Sequence, residues 1–153
     1  MSKEIIESVL KDFTEARYYP KFRLMTWHLM GILDASLSAK FWEFLEWEEH
    51  VQNAPFDRYI DLSGVTRVEI TLHALLERAS RRRRALEPVK SAIFADEKYT
   101  FLIARIYESL MEDAVAITVR AFRKRKLAAN WLGVPLAILR PPAKPALNLS
   151  AWD

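Results

Sequence analysis

The chain has 153 residues and a net charge of +3, with 51% hydrophobic and 28% charged residues. This composition is typical of one globular domain with its own core and excludes a disordered or fibrous protein. Because the chain lacks cysteine, it can form no disulfide, thiolate metal site or catalytic thiol. We see no signal-peptide pattern and no apolar run of the roughly 20 residues that a membrane helix needs, so we expect a cytoplasmic protein.

Apolar residues recur alternately at strand and helix spacings along the chain. A strand or short hairpin is predicted over 22–33, and strands over 56–62, 89–95 and 115–122. Helices are predicted over 2–13, 36–50, 71–86, after Asp96 and over 123–132. Asp96 is expected to cap its helix, and Gly133 to end the last one. The helix after Asp96 is expected to bury Tyr99, Leu102, Ile103, Ile106 and Leu110. This order predicts an α/β domain with helices packed on a sheet.

Three parts of the chain are distinguished by composition and predicted elements. Residues 1–20 are predicted to form a helical extension, and residues 21–134 the domain itself. Residues 135–153 contain four prolines and are predicted to form an extended tail, docked through Leu149 or Trp152.

The segment Asp61-Leu62-Ser63-Gly64-Val65 follows a predicted strand and leads to a helix start at Val68–Leu72. Together with Gly31–Asp34, Ala92–Ala95 and Phe122–Gly133, it resembles the landmarks of STAS domains, and more closely of their SpoIIAA-like relatives, over residues 22–133. The resemblance implies a mixed, mostly parallel sheet of four or five strands covered by helices. It also implies a non-enzymatic bacterial regulator, similar to anti-sigma-factor antagonists, that acts through protein–protein contacts.

Such antagonists present Asp-Ser-Ser-Gly at a helix start, where one serine is phosphorylated. Here the stretch reads Glu69-Ile70-Thr71-Leu72, which departs from that pattern at Ile70 and Leu72. The resemblance makes Thr71 the candidate phosphoacceptor and Glu69 the matching acid. The simpler interpretation, which we favour, is that Thr71 caps the helix through its hydroxyl.

Helix 36–50 is apolar over an unusually wide arc, about 220° against about 100° for an ordinary core-facing helix. Trp42 and Trp47 lie at the edges of this arc and are expected to stay partly exposed. They would then form a partner surface, a homodimer contact or the mouth of an apolar pocket. Alternatively, the N-terminal helix or the C-terminal tail covers them.

Two basic runs could form one patch for nucleic acid or an anionic membrane if their helices are neighbours. The runs comprise Arg81, Arg82, Arg83 and Arg84, and Arg123, Lys124, Arg125 and Lys126. However, the first run ends a helix, where cations are favourable in any case. Neither run contains interleaved aromatic residues, so we favour solvated faces and consider nucleic acid the weakest hypothesis.

Chemistry-bearing motifs are sparse. His28, His50 and His73 lack metal-ligand spacing, and three glycines in all leave no phosphate-cradling loop. Ser63 lacks a nucleophile elbow, and no histidine–acid pair is expected to serve it. We therefore expect no enzyme activity, cofactor or metal.

The sequence thus predicts a binding module whose first candidate partner is a protein. The expected surface comprises Asp61, Ser63, Gly64, Glu69, Thr71, Trp42 and Trp47. The alternative is a carrier or sensor of an apolar ligand such as a lipid, which a cavity of about 300 Å³ or more under Trp42 or Trp47 would favour.

Overall fold

The computed structural model describes residues 13–52, 54–82 and 88–141. The strands are β1 (Phe13–Tyr19), β2 (Leu24–Leu33), β3 (Asp57–Val68), β4 (Val89–Phe94) and β5 (Ile117–Phe122). The α-helices are α1 (Ala35–Val51), α2 (Leu72–Arg82), α3 (Lys98–Leu110) and α4 (Arg125–Leu132). Short 3₁₀ turns cover Pro20–Phe22 and Leu136–Leu139. Within these ranges, no helix is both long enough and apolar enough to cross a membrane.

The five strands form one sheet in the order β1-β2-β3-β4-β5. β1 runs antiparallel to β2, whereas β2 to β5 are mutually parallel. Parallel neighbours need crossover connections, and α1, α2 and α3 supply them. The predicted mixed, mostly parallel sheet covered by helices is confirmed.

Side chains alternate between the two faces of this sheet, and each face has its own core. We call the side covered by α1, α2 and α3 the first face; its core includes Trp27, Phe41 and Ile60. The second face is covered by α4 and the turn Leu136–Leu139, and its core includes Leu24 and Tyr59. The side chains of adjacent residues in one strand therefore lie in different cores.

The chain does not stay helical up to residue 20, because Phe13–Tyr19 forms β1. Tyr18 and Tyr19 pair with Met25 and Leu24 of β2, so tertiary pairing outweighs the local helical spacing. The rest of the predicted N-terminal helix lies outside the described residues. So do Leu149 and Trp152, and the division of the chain into domains remains a prediction.

β3 has 12 residues, whereas the predicted strand 56–62 has seven, and it does not end near Asp61. Its second half pairs with the long strand β2, for example Val65 with Gly31 and Val68 with Leu33. These backbone hydrogen bonds extend the strand through a segment whose Ser-Gly composition is typical of a turn. α2 then begins at Leu72 and is described as far as Arg82.

α3 is capped and oriented differently from the prediction. Its cap is Glu97, whose carboxylate accepts hydrogen bonds from the Tyr99 and Thr100 amides, and not Asp96. Tyr99 and Leu102 are 56% and 53% exposed. The helix instead buries Thr100, Ala104 and Tyr107. The other residues predicted to be buried, Ile103, Ile106 and Leu110, are half-buried. The predicted end of α4 at Gly133 is confirmed, since Gly133 adopts a left-handed conformation with φ 73°.

Candidate functional site

Asp61 lies in the middle of β3 on the second face, where its side chain is 1% exposed. Its Oδ2 accepts hydrogen bonds from Tyr59 Oη at 2.7 Å and Arg125 Nε at 2.9 Å. Its Oδ1 accepts from the amide and the hydroxyl of Ser63 at 2.9 and 2.6 Å. His28 Nδ1 lies 3.4 Å from Oδ2. Asp61 is thus the centre of a buried polar network on this face.

The network explains how a carboxylate persists inside the domain. Burial alone would raise the pKa of Asp61, but the nearby His28 and hydrogen bonds from Arg125, Ser63 and Tyr59 outweigh it and hold the pKa far below its usual range. Burial and the neighbouring carboxylate raise the pKa of the Tyr59 phenol, which therefore stays protonated and donates. Within the network, the negative charge of Asp61 is thus paired with the positive charge of Arg125.

Arg125 is the first residue of α4 and connects that helix to β3. Besides Asp61, it donates from Nη2 to Ser63 Oγ at 2.8 Å, and its guanidinium lies 4.5 Å from the Phe94 ring centroid. Sequence analysis placed Arg125 in a surface basic patch. Its partner Asp61 is distant along the chain, so only the tertiary structure reveals the pair.

His28 is the residue that sequence reasoning underestimated most. We expected no histidine–acid pair near Ser63, yet β2 places His28 opposite Asp61 in the parallel register. The available signal was alternation: Leu24, Thr26 and His28 are in phase along β2, and all three lie on the second face. However, Ser63 donates directly to Asp61, so the three groups do not form a serine–histidine–acid relay.

The first face carries a different kind of site, an open apolar cavity of about 240 Å³. It lies between α1, α2 and α3, and its walls include Leu29, Leu33, Trp42, Ile60, Leu75 and Tyr107. This volume is below the 300 Å³ that would have matched the expectation for a carrier. Nevertheless, the site is a concave cavity under Trp42 and not a flat patch.

Cations surround Trp42 at the edge of this cavity. The guanidinium groups of Arg78 and Arg82 lie 5.1 and 5.5 Å from its ring centroid. Arg82 also donates two hydrogen bonds to Glu49, at 2.7 and 2.8 Å, and Arg58 donates a third at 2.6 Å. Trp42 is half-buried, so the expectation that it stays partly exposed is confirmed.

The predicted binding surface divides between the two faces. Asp61 and Ser63 belong to the polar network, whereas Glu69, Thr71 and Trp42 line the cavity. The prediction treated residues 61–72 as one loop and helix start, but β3 continues to Val68. Alternation within that strand directs the side chains of Asp61 and Ser63 to the second face.

The other two residues of the predicted surface, Gly64 and Trp47, make contacts within the fold. A Cβ on Gly64 would lie 2.8 Å from the Leu29 carbonyl oxygen, so glycine permits a close approach of β3 to β2. Trp47 is half-buried and stacks on Phe44, with ring centroids 6.2 Å apart. Whether residues 1–12 or 142–153 cover either tryptophan lies outside the described residues.

Thr71 makes the capping contact that we favoured. The Ala74 amide donates to its Oγ1 at 3.1 Å, and the side chain is exposed at the start of α2. Its role as a phosphoacceptor remains a prediction.

The two basic runs do not form one patch in the described part of the chain. α2 packs on the first face and α4 on the second. Arg82 is buried against Glu49, and Arg125 is held by Asp61. Arg83 and Arg84 lie outside the described residues. A single surface formed by both runs would need their helices side by side, and they are not.

Groups of three or more histidine, aspartate or glutamate side chains that could hold a metal ion do not occur among the described residues. The chain offers no cysteine for this purpose either. Hydrogen-bond donors face both oxygens of the Asp61 side chain, and this environment stabilises the negatively charged carboxylate itself.

No protein-family model matches this sequence, and no curated protein is significantly similar to it. Among solved structures, one match is an uncharacterized protein of the DUF3478 family with a SpoIIAA-like fold from Shewanella loihica PV-4. The two chains are 14% identical with a TM-score of 0.47, and the match covers 78% of this chain and 90% of the other.

Proposed function

We propose that this protein is a non-enzymatic binding module whose first-face cavity holds a short apolar chain or a ring. The observation that carries this proposal is the open cavity of about 240 Å³ between α1, α2 and α3. Its walls are mainly aliphatic and aromatic, with charged side chains such as Glu69, Arg78 and Arg81 among the lining residues. Apolar walls with a few polar groups are typical of small-molecule sites.

The volume limits the size of the ligand. Cavities for drug-sized ligands measure roughly 300–1,000 Å³, whereas an apolar cavity of about 150 Å³ accommodates benzene. A site of about 240 Å³ therefore fits a ligand of intermediate size, such as a medium-length acyl chain. Each buried methylene group would add about 0.8 kcal/mol to the binding free energy.

The contacts of the polar network support a non-catalytic role. Both oxygens of Asp61 accept hydrogen bonds from groups of the protein itself, and its pKa is well below its usual range. A general base would instead need a pKa near the working pH. The Ser63 hydroxyl donates a hydrogen bond to Asp61 and accepts one from Arg125, so it is held in place.

A series of saturated fatty acids of increasing length, titrated by calorimetry, tests the proposal. We expect affinity to rise roughly fourfold per methylene group until the cavity is filled, and to level off beyond that length. Affinity that is absent, or independent of chain length, would overturn the proposal.

Two matched variants on α2 locate the binding. Ala74 lines the cavity, so Ala74→Phe should fill it and abolish the dependence on chain length. Ser80 is exposed on the same helix and is not a lining residue, so Ser80→Phe should bind as the unmodified protein does. Equal loss in both variants would assign the binding to another surface.

A protein partner is the second candidate function, and exposed apolar side chains favour it. Leu72 and Leu76 of α2 are 58% and 46% exposed, and Tyr99 and Leu102 of α3 are similarly exposed. Leu72, Leu76 and Leu102 are adjacent in the chain to lining residues of the cavity, so a partner could sense the bound ligand. A Leu76→Asp variant should lose a partner captured from host extract, whereas Leu127→Asp, at an exposed position on α4, should retain it.

A further inference from the structure

The hydroxyl group of Tyr107 is a hydrogen-bond donor beside the first-face cavity. Tyr107 belongs to α3, lines the cavity and is 6% exposed. Among the described residues, no atom accepts a hydrogen bond from this hydroxyl, although a buried tyrosine usually finds a partner. On the second face, the equally buried Tyr59 donates to Asp61 at 2.7 Å. The two tyrosines thus differ in whether the fold itself supplies an acceptor.

Tyr107 also differs from the other buried residues of the cavity wall. Among the described lining residues that are buried, all the others are leucine, isoleucine, phenylalanine or alanine, whose side chains neither donate nor accept. Two further hydroxyls belong to the lining, but Ser38 is only half-buried, and Thr71 is exposed and caps α2. Tyr107 therefore contributes a buried donor to an otherwise apolar part of the wall.

The charged groups near Tyr107 do not take its proton. They are Arg58, Arg78, Arg82 and Glu49. The three arginines can only donate, and the Glu49 carboxylate accepts hydrogen bonds from Arg58 and Arg82. Burial raises the pKa of the Tyr107 phenol, so the hydroxyl keeps its proton at neutral pH and remains a donor.

An acceptor that enters the cavity would satisfy this donor. A buried hydroxyl without a hydrogen bond is unfavourable, and a new partner recovers the lost free energy. The cavity of about 240 Å³ has room for a ligand that brings an acceptor with it. The Trp42 ring packs against Tyr107, with ring centroids 5.8 Å apart, and thus helps to hold the donor in place.

We propose that Tyr107 makes the first-face cavity selective for carbonyl compounds, because its hydroxyl donates a hydrogen bond to the carbonyl oxygen of the bound ligand. This inference rests on the proposed function, since it requires that the cavity binds a small and largely apolar molecule. It adds the position of the polar atom of that molecule, beside α3, while the remainder contacts the apolar walls. A site with a buried donor discriminates against analogues that lack the acceptor, because the donor then stays unpaired.

Two ligands of the same shape test the proposal. In α-methylstyrene a CH₂ group replaces the carbonyl oxygen of acetophenone, and both compounds consist of a ring with one short side group. Titrations followed by protein NMR should show that the unmodified protein binds both. In Tyr107→Phe, the affinity for acetophenone should fall roughly fivefold, because a hydrogen bond is lost. The affinity for α-methylstyrene should change by less than about twofold, since no hydrogen bond to it is lost.

Tyr99→Phe is the matched control, because Tyr99 is 56% exposed on the same helix and is not among the described lining residues. It should leave both affinities unchanged. Equal effects of Tyr107→Phe on the two ligands, or no effect on either, would overturn the role of Tyr107 and leave the proposed function intact. If neither compound binds to the unmodified protein, the proposed function fails together with this inference.

Stability without ligand provides a readout that does not depend on binding. Because the Tyr107 hydroxyl has no acceptor among the described residues, Tyr107→Phe should not lower the urea midpoint of unfolding. Tyr59→Phe removes a hydroxyl that donates to Asp61 and should lower the midpoint. A decrease in Tyr107→Phe as large as in Tyr59→Phe would mean that the protein already satisfies the Tyr107 hydroxyl, and this result would overturn the proposal.

Discussion

The two faces of β3 differ in chemistry, because one borders an apolar cavity and the other a buried charge. Toward the first face, Ile60 contributes to the wall of an apolar cavity. Toward the second face, the next residue, Asp61, holds a buried charge surrounded by donors. One residue along a strand therefore separates the wall of an apolar cavity from a charged network.

The comparison shows that the two faces achieve stability in different ways. The first face buries large side chains and leaves a concave space between its helices. The second face connects β3 to α4 through hydrogen bonds to one carboxylate, which also lies against His28 of β2. Removal of a partner from the network should thus be far more costly than substitution at the edge of the cavity.

Asp61→Asn should produce the largest effect. The variant loses the negative charge that balances Arg125. In addition, its amide NH₂ group, which can only donate, replaces one oxygen that accepts hydrogen bonds in the unmodified protein. We expect the free energy of unfolding to fall by about 3–5 kcal/mol in urea denaturation at neutral pH. Asp113→Asn, at an exposed position, is the control and should change it by less than about 0.5 kcal/mol.

The pH dependence of stability provides a second test of Asp61. Its pKa is lower in the folded than in the unfolded chain, so the unfolded state binds the proton first as the pH falls. The stabilisation is complete above the unfolded pKa, near 4, and is lost progressively below it. In Asp61→Asn the acid-induced loss should be shallower by about one proton. Identical slopes would mean that the carboxylate is not charged in the folded protein.

Glu49→Gln tests the charged border of the first face. The side chains of Arg58 and Arg82 are 4% and 8% exposed, and both depend on Glu49. Loss of this carboxylate would leave two buried guanidinium groups close together, at a cost of about 2–3 kcal/mol. Glu46→Gln is the control. The Glu46 side chain is 50% exposed, so its ion pair with Arg78 contributes little to stability. Equal losses of stability in the two variants would contradict the special role of Glu49 as the partner of two buried guanidinium groups.

Gly64→Ala tests the close approach of β3 to β2. The new methyl group would lie 2.8 Å from the Leu29 carbonyl oxygen and 3.0 Å from Met30 Cγ, so the strands must shift. We expect a loss of about 1–3 kcal/mol in the free energy of unfolding. Gly133→Ala meets no atom within 4 Å, and only its φ of 73° opposes it. That control should lose about 1 kcal/mol.

Much of the fold could be predicted from the sequence, because it depends on local patterns. Apolar periodicity located α1 and β4 closely, and the glycine rule gave the end of α4 at Gly133. The same local reasoning failed for β1 and for the second half of β3. In both segments, pairing with β2 determines the structure, and pairing partners are not encoded in the local composition.

The sites were harder to predict, because they join residues that are distant along the chain. Asp61, Ser63 and Thr71 were candidate residues, but the faces to which they belong follow from the length of β3. His28 and Arg125 contact Asp61 only through strand register and the packing of α4. From the sequence, Arg125 is expected on a basic surface, because it belongs to a run of cations at a helix start. Such a run does not reveal that one of its members has a buried partner.

Thr71→Ala should give the smallest effect, at the junction between β3 and α2. Loss of the Oγ1 acceptor of the Ala74 amide should reduce the free energy of unfolding by about 1 kcal/mol, as is usual for an N-cap. Thr71→Ser keeps the hydroxyl and should change stability by only a few tenths of that amount. Because Thr71 lines the cavity on the first face, neither variant should alter the acid-induced loss of stability that Asp61 causes on the second. A change in that acid response would show that the two faces are coupled through β3, and intact-mass spectra of cell-derived protein would show whether the hydroxyl also accepts a phosphate.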